Sequence, residues 1–199
     1  MLNKVYIYFV NHSFYDFIRK LIFTMTQWFM FALCRKLRGL FHFKSYNVKL
    51  GKDVKISGFA TNLFIGKNIQ FYDACKIELC HNSNLKIGNR VLFAYGVVLC
   101  CRNKITIGSN VQIGEYTSIR DATHNYRGMH SIIMNNDDLI GEIEIGNNVW
   151  IGRNCLISPG AKIGNGVVVG ANSIVKGVLE ANGVYAGNPI RKINSRLEI

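Results

Sequence analysis

Residues 145–164 read IGNNVW, IGRNCL, ISPGAK and IG. An aliphatic residue recurs at every sixth position, at Ile145, Ile151, Ile157 and Ile163, and glycine follows it at 146, 152 and 164. Four places after the aliphatic stand Val149, Cys155 and Ala161, all small or slim. A fixed internal period decides the architecture before any local propensity does. Each unit of six is a short strand plus a corner. The aliphatic points inward, the small residue fits near the corner, and glycine supplies backbone freedom where the chain turns. Three units close one triangular coil. A single coil cannot bury its own apolar stripe, so coils stack and pair their strands in parallel.

The same pairing of aliphatic and glycine appears at 50–51, 65–66, 87–88, 107–108, 113–114 and 169–170. Ile65 to Ile87 is 22 residues and Ile87 to Ile107 is 20, so extra residues bulge from the early coils. Ile107, Ile113 and Ile119 are in strict phase. The stretch RDATHNYRGMHSIIMNNDDLIGE, residues 120–142, then breaks the rhythm, which returns at Ile145 and runs on through Val169 and Val175. A loop on a rigid scaffold is where function tends to sit. Pro189, in the closing AGNPIRKI of residues 186–193, cannot donate to a ladder and suits the end of pairing. The expectation is an all-β chain: a parallel β-helix over 46–193, a protruding loop at 125–142, a tail at 194–199 and a helical extension over 1–45.

The extension lies outside the repeat. Val5–Phe9, Phe14–Ile18 and Leu21–Leu33 are rich in aromatic and aliphatic residues. LIFTMTQWFMFAL, residues 21–33, is too short to span a bilayer, which needs about 20 apolar residues. No small-residue cleavage site follows it, so it does not read as a signal peptide. Residues 1–55 carry ten basic side chains against two acidic ones. Trp28 and neighbouring phenylalanines beside Arg19, Lys20, Arg35, Lys36 and Arg38 suit a helix lying in a membrane interface. A helical cap packed on the first coil is the other reading. The expected location is cytoplasmic, with peripheral contact at the inner face of the cytoplasmic membrane.

The whole chain of 199 residues has a formal net charge of +12, which favours anionic partners. No zinc-finger, RRM, KH or recognition-helix pattern is present, so nucleic acid is excluded as the expected partner. The six cysteines form no CxxC pair and read as small buried side chains in a reducing compartment.

His124 stands at the mouth of the excursion, five residues after Ile119. Histidine titrates near neutral pH and can take a proton from an attacking hydroxyl or amine. No Cys or Ser has an evident partner for nucleophilic catalysis. Trp150 falls in the outward slot before Ile151, where core packing does not explain a large aromatic; subunit packing would.

The repeat over residues 50–193, the D-A-T-H-N of 121–125, the Trp150-Ile151-Gly152 triplet and the closing AGNPIRKI resemble the hexapeptide-repeat acyltransferases. The resemblance implies a left-handed β-helix that trimerises, although crossovers between parallel strands are usually right-handed. It implies acetyl-CoA as acyl donor, no metal, and direct attack by an acceptor on the thioester. His124 would be the general base, oriented by Asp121. Trp150, Gly152, Gly170 and Ala171 would border the pantetheine arm, with an oxyanion donor near Gly152–Arg153. Lys176, Arg191 and Lys192 would meet the phosphates, and Pro189 the adenine; without the resemblance these are an ordinary solvated basic tail. Several small-sugar members carry Asn and Asp where this chain has Ala94 and Arg102, which puts simple galactoside or maltose acceptors in doubt and suggests an acidic one. Tyr95, Arg102, Tyr126 and Arg127 are the candidate acceptor contacts. The sugar and polysaccharide O-acetyltransferase branch fits best. N-acetylation of a nucleotide-linked amino sugar or of a xenobiotic would use the same base. A zinc carbonic anhydrase on this helix needs three His ligands, and residues 82–199 offer only His124 and His130. A non-catalytic β-helix would leave His124 and AGNPIRKI without purpose.

Overall fold

In the computed structural model, residues 48–58, 60–126 and 138–196 are described, together with Ile18, Leu21, Ile22, Met25, Thr26, Phe29 and Leu33. Two compact units are distinguished, Met1–Arg38 and Gly39–Ile199. The seven described positions of the first are helical. The rest of the extension, residues 127–137 of the expected loop with Arg127, and the last three residues of the tail lie outside the described residues.

The second unit is a left-handed parallel β-helix. Three of its four sheets among the described residues are the three faces of a prism. The first face has eight strands, from Val48–Leu50 through Ile69–Phe71, Val91–Phe93, Val111–Ile113, Trp150–Ile151 and Val168–Val169 to Gly183–Ala186 and Arg191–Ser195. The second has six, among them Lys76–Leu79, Val98–Cys101 and Ser118–Arg120. The third has six, among them Asn84–Ile87, Lys104–Ile107 and Ile143–Ile145. The chain visits them in that order and returns to the first one coil further on.

The period of two along each strand puts alternate residues inside. Ile69, Ile77, Leu85, Ile87, Leu99, Ile105, Ile113, Ile119, Ile143, Ile151 and Ile157 are fully buried. Phe71 and Phe93 stack inside with ring centroids 4.2 Å apart. Cys75, Val97, Val149, Cys155, Ala161 and Val167 fill the slim slots near corners. The corners need left-handed backbone. Asp53, Ala74, Gly96, Tyr116, Asn154 and Asn172 take positive φ between the first and second faces, and Asn68, Arg90, Asn110, Asn148, Gly166 and Asn182 do so between the third and first. Asparagine tolerates this conformation better than most side chains. A polar ladder binds that latter corner: the Asn89 N–H donates to Ser109 Oγ, the Ser109 N–H to Asn147 Oδ1, and the Asn147 N–H to Asn165 Oδ1.

The parallel stack ends where Gly183–Ala186 pairs antiparallel with Arg191–Ser195. Pro189 sits in the turn between them, and pairing runs to Ser195, two residues beyond the expected limit.

Candidate functional site

The long excursion starts at the corner between the second and third faces. Ile119 points inward, so the alternation carries Asp121 inward too, and its carboxylate is fully buried. Burial demands partners. Asp121 Oδ1 accepts from the Arg102 N–H and Oδ2 from the Asn103 N–H, each at 2.8 Å. Its carbonyl accepts from the Gly141 N–H. Asp121 therefore fastens the corner of one coil to the corner before it and to the returning end of the loop. Its carboxylate faces these amides and not His124.

The base of the loop is a two-residue antiparallel ladder, Ala122–Thr123 against Leu139–Ile140. That ladder sets His124 next to Asp138, one residue beyond the pairing on each side. His124 Nδ1 lies 3.3 Å from Asp138 Oδ1. The other Asp138 oxygen accepts from the Arg102 guanidinium. Asp138 is only 15% exposed, whereas the His124 side chain is 80% exposed. The acidic partner of His124 among the described residues is thus Asp138, which approaches from the far side of the excursion. Arg102, expected to meet an acidic acceptor, is engaged by Asp138.

A cleft of about 270 Å³ opens here, lined by Glu78, Cys100, Arg102, Arg120, Thr123, His124 and Asp138 together with Ala122. Glu78 bonds Lys76 at 2.7 Å, and that contact holds its carboxyl below the usual carboxylate range. Arg120 bonds Ser118 through Nε at 3.1 Å and approaches Glu78 at 4.0 Å. Burial, with Glu78 as second cause, pushes the Cys100 thiol up to about 11. A protonated thiol is a poor nucleophile; His124 is the one imidazole among the described lining residues, beside the carboxylates of Glu78 and Asp138, which are engaged by Lys76 and Arg102. Among the described residues no group of three or more His, Cys, Asp or Glu stands together as a metal site.

The remaining predicted residues lie elsewhere on the prism. Trp150 projects from the first face, 56% exposed, in register between Gln112 and Val168. Gly152, Arg153, Gly170 and Ala171 follow along the corner between the first and second faces. The turn 187–190 continues that row, since the Gly187 N–H donates to Ser173 Oγ. Lys176, Pro189, Arg191 and Lys192 are exposed at this end. Tyr95 stands on the same corner several coils back and does not line the His124 cleft. Tyr126 is 72% exposed, two residues past His124.

The sequence pattern "Bacterial transferase hexapeptide (six repeats)" matches residues 142–177. The putative colanic acid biosynthesis acetyltransferase WcaF of Escherichia coli is 32% identical over 134 residues, 67% of this chain and 70% of that protein. The chain belongs to the hexapeptide-repeat acyltransferase family. The galactoside O-acetyltransferase of Escherichia coli is 36% identical over 123 residues, 60% of each chain, so this chain spans less than two thirds of that relative's length. A variant of AntD, an N-acyltransferase from Bacillus cereus in complex with dTDP and coenzyme A, superposes with a TM-score of 0.65 at 26% identity, over 75% of this chain and 81% of that one.

Two family features take a different physical reading in this hexapeptide-repeat protein. A Cβ on Gly152 would sit 2.6 Å from the Ala171 nitrogen, and one on Gly170 would sit 2.9 Å from the Ala186 Cβ. These glycines are required by the stacking of one coil on the next. The Gly152 N–H donates to the Val169 carbonyl at 2.7 Å, so an oxyanion donor on this turn falls to Arg153.

Proposed function

We propose that this chain is an acetyl-CoA-dependent O-acetyltransferase whose acceptor is a saccharide, a unit of a surface polysaccharide such as capsule or lipopolysaccharide. The observation that carries the reading is the His124 imidazole at the mouth of a polar cleft, with Nδ1 on Asp138. An Nδ1–H bonded to that carboxylate leaves the Nε2 lone pair free to accept a proton. The acceptor hydroxyl attacks the thioester carbonyl as Nε2 takes its proton. The carbonyl oxygen gains negative charge, which a backbone N–H at Arg153 can meet. The C–S bond then breaks and the thiol of CoA leaves with a proton. Trp150, Gly152, Gly170 and Ala171 border the pantetheine in this reading, Lys176, Arg191 and Lys192 bind the phosphates, and Pro189 packs on the adenine. The likeness to WcaF, named for colanic acid biosynthesis, supports a polysaccharide acceptor.

The test is thiol release from acetyl-CoA with surface glycans offered, and a mass increase of one acetyl group on the acceptor. His124→Ala should lower turnover by about 10²–10⁴ with the fold intact. Near-normal turnover would remove His124 from the mechanism. A second reading is N-acylation of a nucleotide-linked amino sugar, favoured by the likeness to AntD with its bound dTDP. Transfer to a dTDP-linked amino sugar, with no transfer to glycans, selects that reading.

For location, the proposal is attachment to the cytoplasmic membrane surface. No helix of the described residues is long and apolar enough to cross a bilayer. Leu21, Ile22, Met25, Phe29 and Leu33 recur at helical spacing and are all exposed, from 40% to 64%. An apolar stripe in a segment rich in Lys and Arg suits anionic headgroups. The full chain should sediment with vesicles containing phosphatidylglycerol but not with pure phosphatidylcholine, and Phe29→Glu should weaken that. Equal recovery with both vesicles counts against it.

A further inference from the structure

The corner between the first and second faces turns through one left-handed residue per coil. Five of the six are Asp53, Ala74, Gly96, Asn154 and Asn172; the sixth is Tyr116, at φ 58. It is the only aromatic with positive φ among the described residues. A bulky side chain in this region is an outlier, and such outliers collect at functional sites. The ring is 61% exposed and gains no burial in exchange.

Its neighbours make a surface of it. The Tyr116 N–H donates to the Tyr95 carbonyl, and the Gly96 N–H donates to the Asp73 carbonyl, so the corners of three successive coils are hydrogen-bonded in a row. Tyr95, 50% exposed, stacks on Tyr72 with centroids 5.2 Å apart and planes at 19°. A Cβ on Gly96 would lie 2.6 Å from Tyr116 Cδ1, so the ring occupies room that only glycine leaves. Three tyrosines thus stand at consecutive corners, with two of them largely open to solvent.

This row is continuous with the His124 cleft. The strand Ser118–Arg120 runs across the second face from the corner bearing Tyr116 to the corner bearing Asp121, and His124 follows three residues on. At about 3.3 Å per residue of strand, Tyr116 lies at most about 13 Å from Arg120 at the cleft wall. The outward side chains along the way are Ser118 and Arg120 with Lys76, Glu78 and Cys100 beside them, and Val98 and Leu156 flank Ser118 as apolar neighbours. The apolar face of a pyranose presents C–H groups, which are drawn to the negative face of an aromatic ring. The hydroxyls at its rim take hydrogen bonds from polar neighbours.

We propose that Tyr72, Tyr95 and Tyr116 form a stacking platform for a sugar ring of an extended acceptor, which crosses the second face with its reacting hydroxyl at His124. The acceptor is then an oligosaccharide or polysaccharide and not a single sugar. This rests on the saccharide reading above and deepens it.

The probe is a set of size-fractionated fragments from partially hydrolysed colanic acid, with galactose as the one-ring control. Binding to the full chain carrying His124→Ala is followed by saturation-transfer NMR, which is independent of catalysis; transfer by the wild type is followed by thiol release. Affinity should rise with fragment length. Tyr95→Ala and Tyr116→Asn, the second keeping a residue suited to the left-handed corner, should each weaken long fragments about tenfold. They should raise KM with kcat unchanged and leave galactose unaffected. Tyr116→Asn should also raise the melting temperature, since the strain is relieved. Binding without transfer would sink the transfer reading and leave the platform standing. Affinity independent of length, or equal loss for galactose and long fragments, overturns the platform. A changed oligomeric state in either variant, read by sedimentation, would assign this corner to a subunit contact and overturn it as well.

Discussion

At the residue scale, what the loop brings to the proposed chemistry is the pairing of His124 with Asp138. An imidazole that is 80% exposed can take many orientations in water. A carboxylate at 3.3 Å, itself pinned by Arg102, limits them and selects the tautomer. Asp138→Asn keeps the size but can present an N–H to Nδ1, which would favour the wrong tautomer. Turnover should fall by less than the about 10²–10⁴ lost with the base itself, and the pH profile of kcat/KM should shift. An unchanged profile and rate would show that Asp138 only anchors the loop. The place of His124 at the mouth of the loop, five residues after Ile119, was legible in the sequence, while its proposed role came from the resemblance to the family. Asp138 was not legible, since it meets His124 through a ladder closed across the excursion, and no spacing records that. Asp121, three residues from His124, looked like the natural partner. The two-residue alternation from Ile119 already sent it inward, and that was the available signal.

At the element scale, the coil is the unit of stability. The period of six was plain between Ile145 and Val175, where strands are two or three residues long. Earlier coils carry four-residue strands on the second and third faces, which lengthens the coil and blurs the period. Their inward residues keep the alternation, so the core was still readable. The cysteines divide: Cys75, Cys101 and Cys155 are buried as expected, but Cys80 and Cys100 are half-buried and Cys100 lines the cleft. Burial comes first among the causes that push Cys75 to about 11 and Cys101 to about 12. A thiol whose folded pKa is raised favours the folded state fully below its unfolded value, here 9.0. That advantage is lost as pH rises through the folded value. Urea midpoints should therefore drop between about pH 9 and pH 11–12. Cys101→Ala, which has nothing to ionise, should show a shallower drop when each midpoint is referred to its own value at neutral pH. Parallel curves would mean that lysine and tyrosine titration accounts for all of it.

At the scale of the whole molecule, the three-faced prism separates groups that the proposed reaction needs together. The corner bearing His124 joins the second and third faces, and so stands opposite the first face, from which Trp150 projects. No bending of a stacked β-helix brings the two together, because every coil is hydrogen-bonded to the next. The sequence placed both residues on the repeat but not on opposite sides of it, which required knowing the face of each strand. If Trp150 borders the pantetheine and His124 takes the proton, the reacting thioester must lie between two chains. Cyclic three-fold packing meets this need, since a heterologous contact that closes repeats the same site at each interface. Mixing His124→Ala chains with Trp150→Ala chains, each nearly inactive alone, under conditions that allow subunit exchange should then restore part of the activity. In a mixed trimer one interface can combine an intact His124 with an intact Trp150, while another combines both lesions. No recovery after exchange verified by mass spectrometry, or a monomer in solution with full activity, would rule out the shared site while leaving the coil and its core as described.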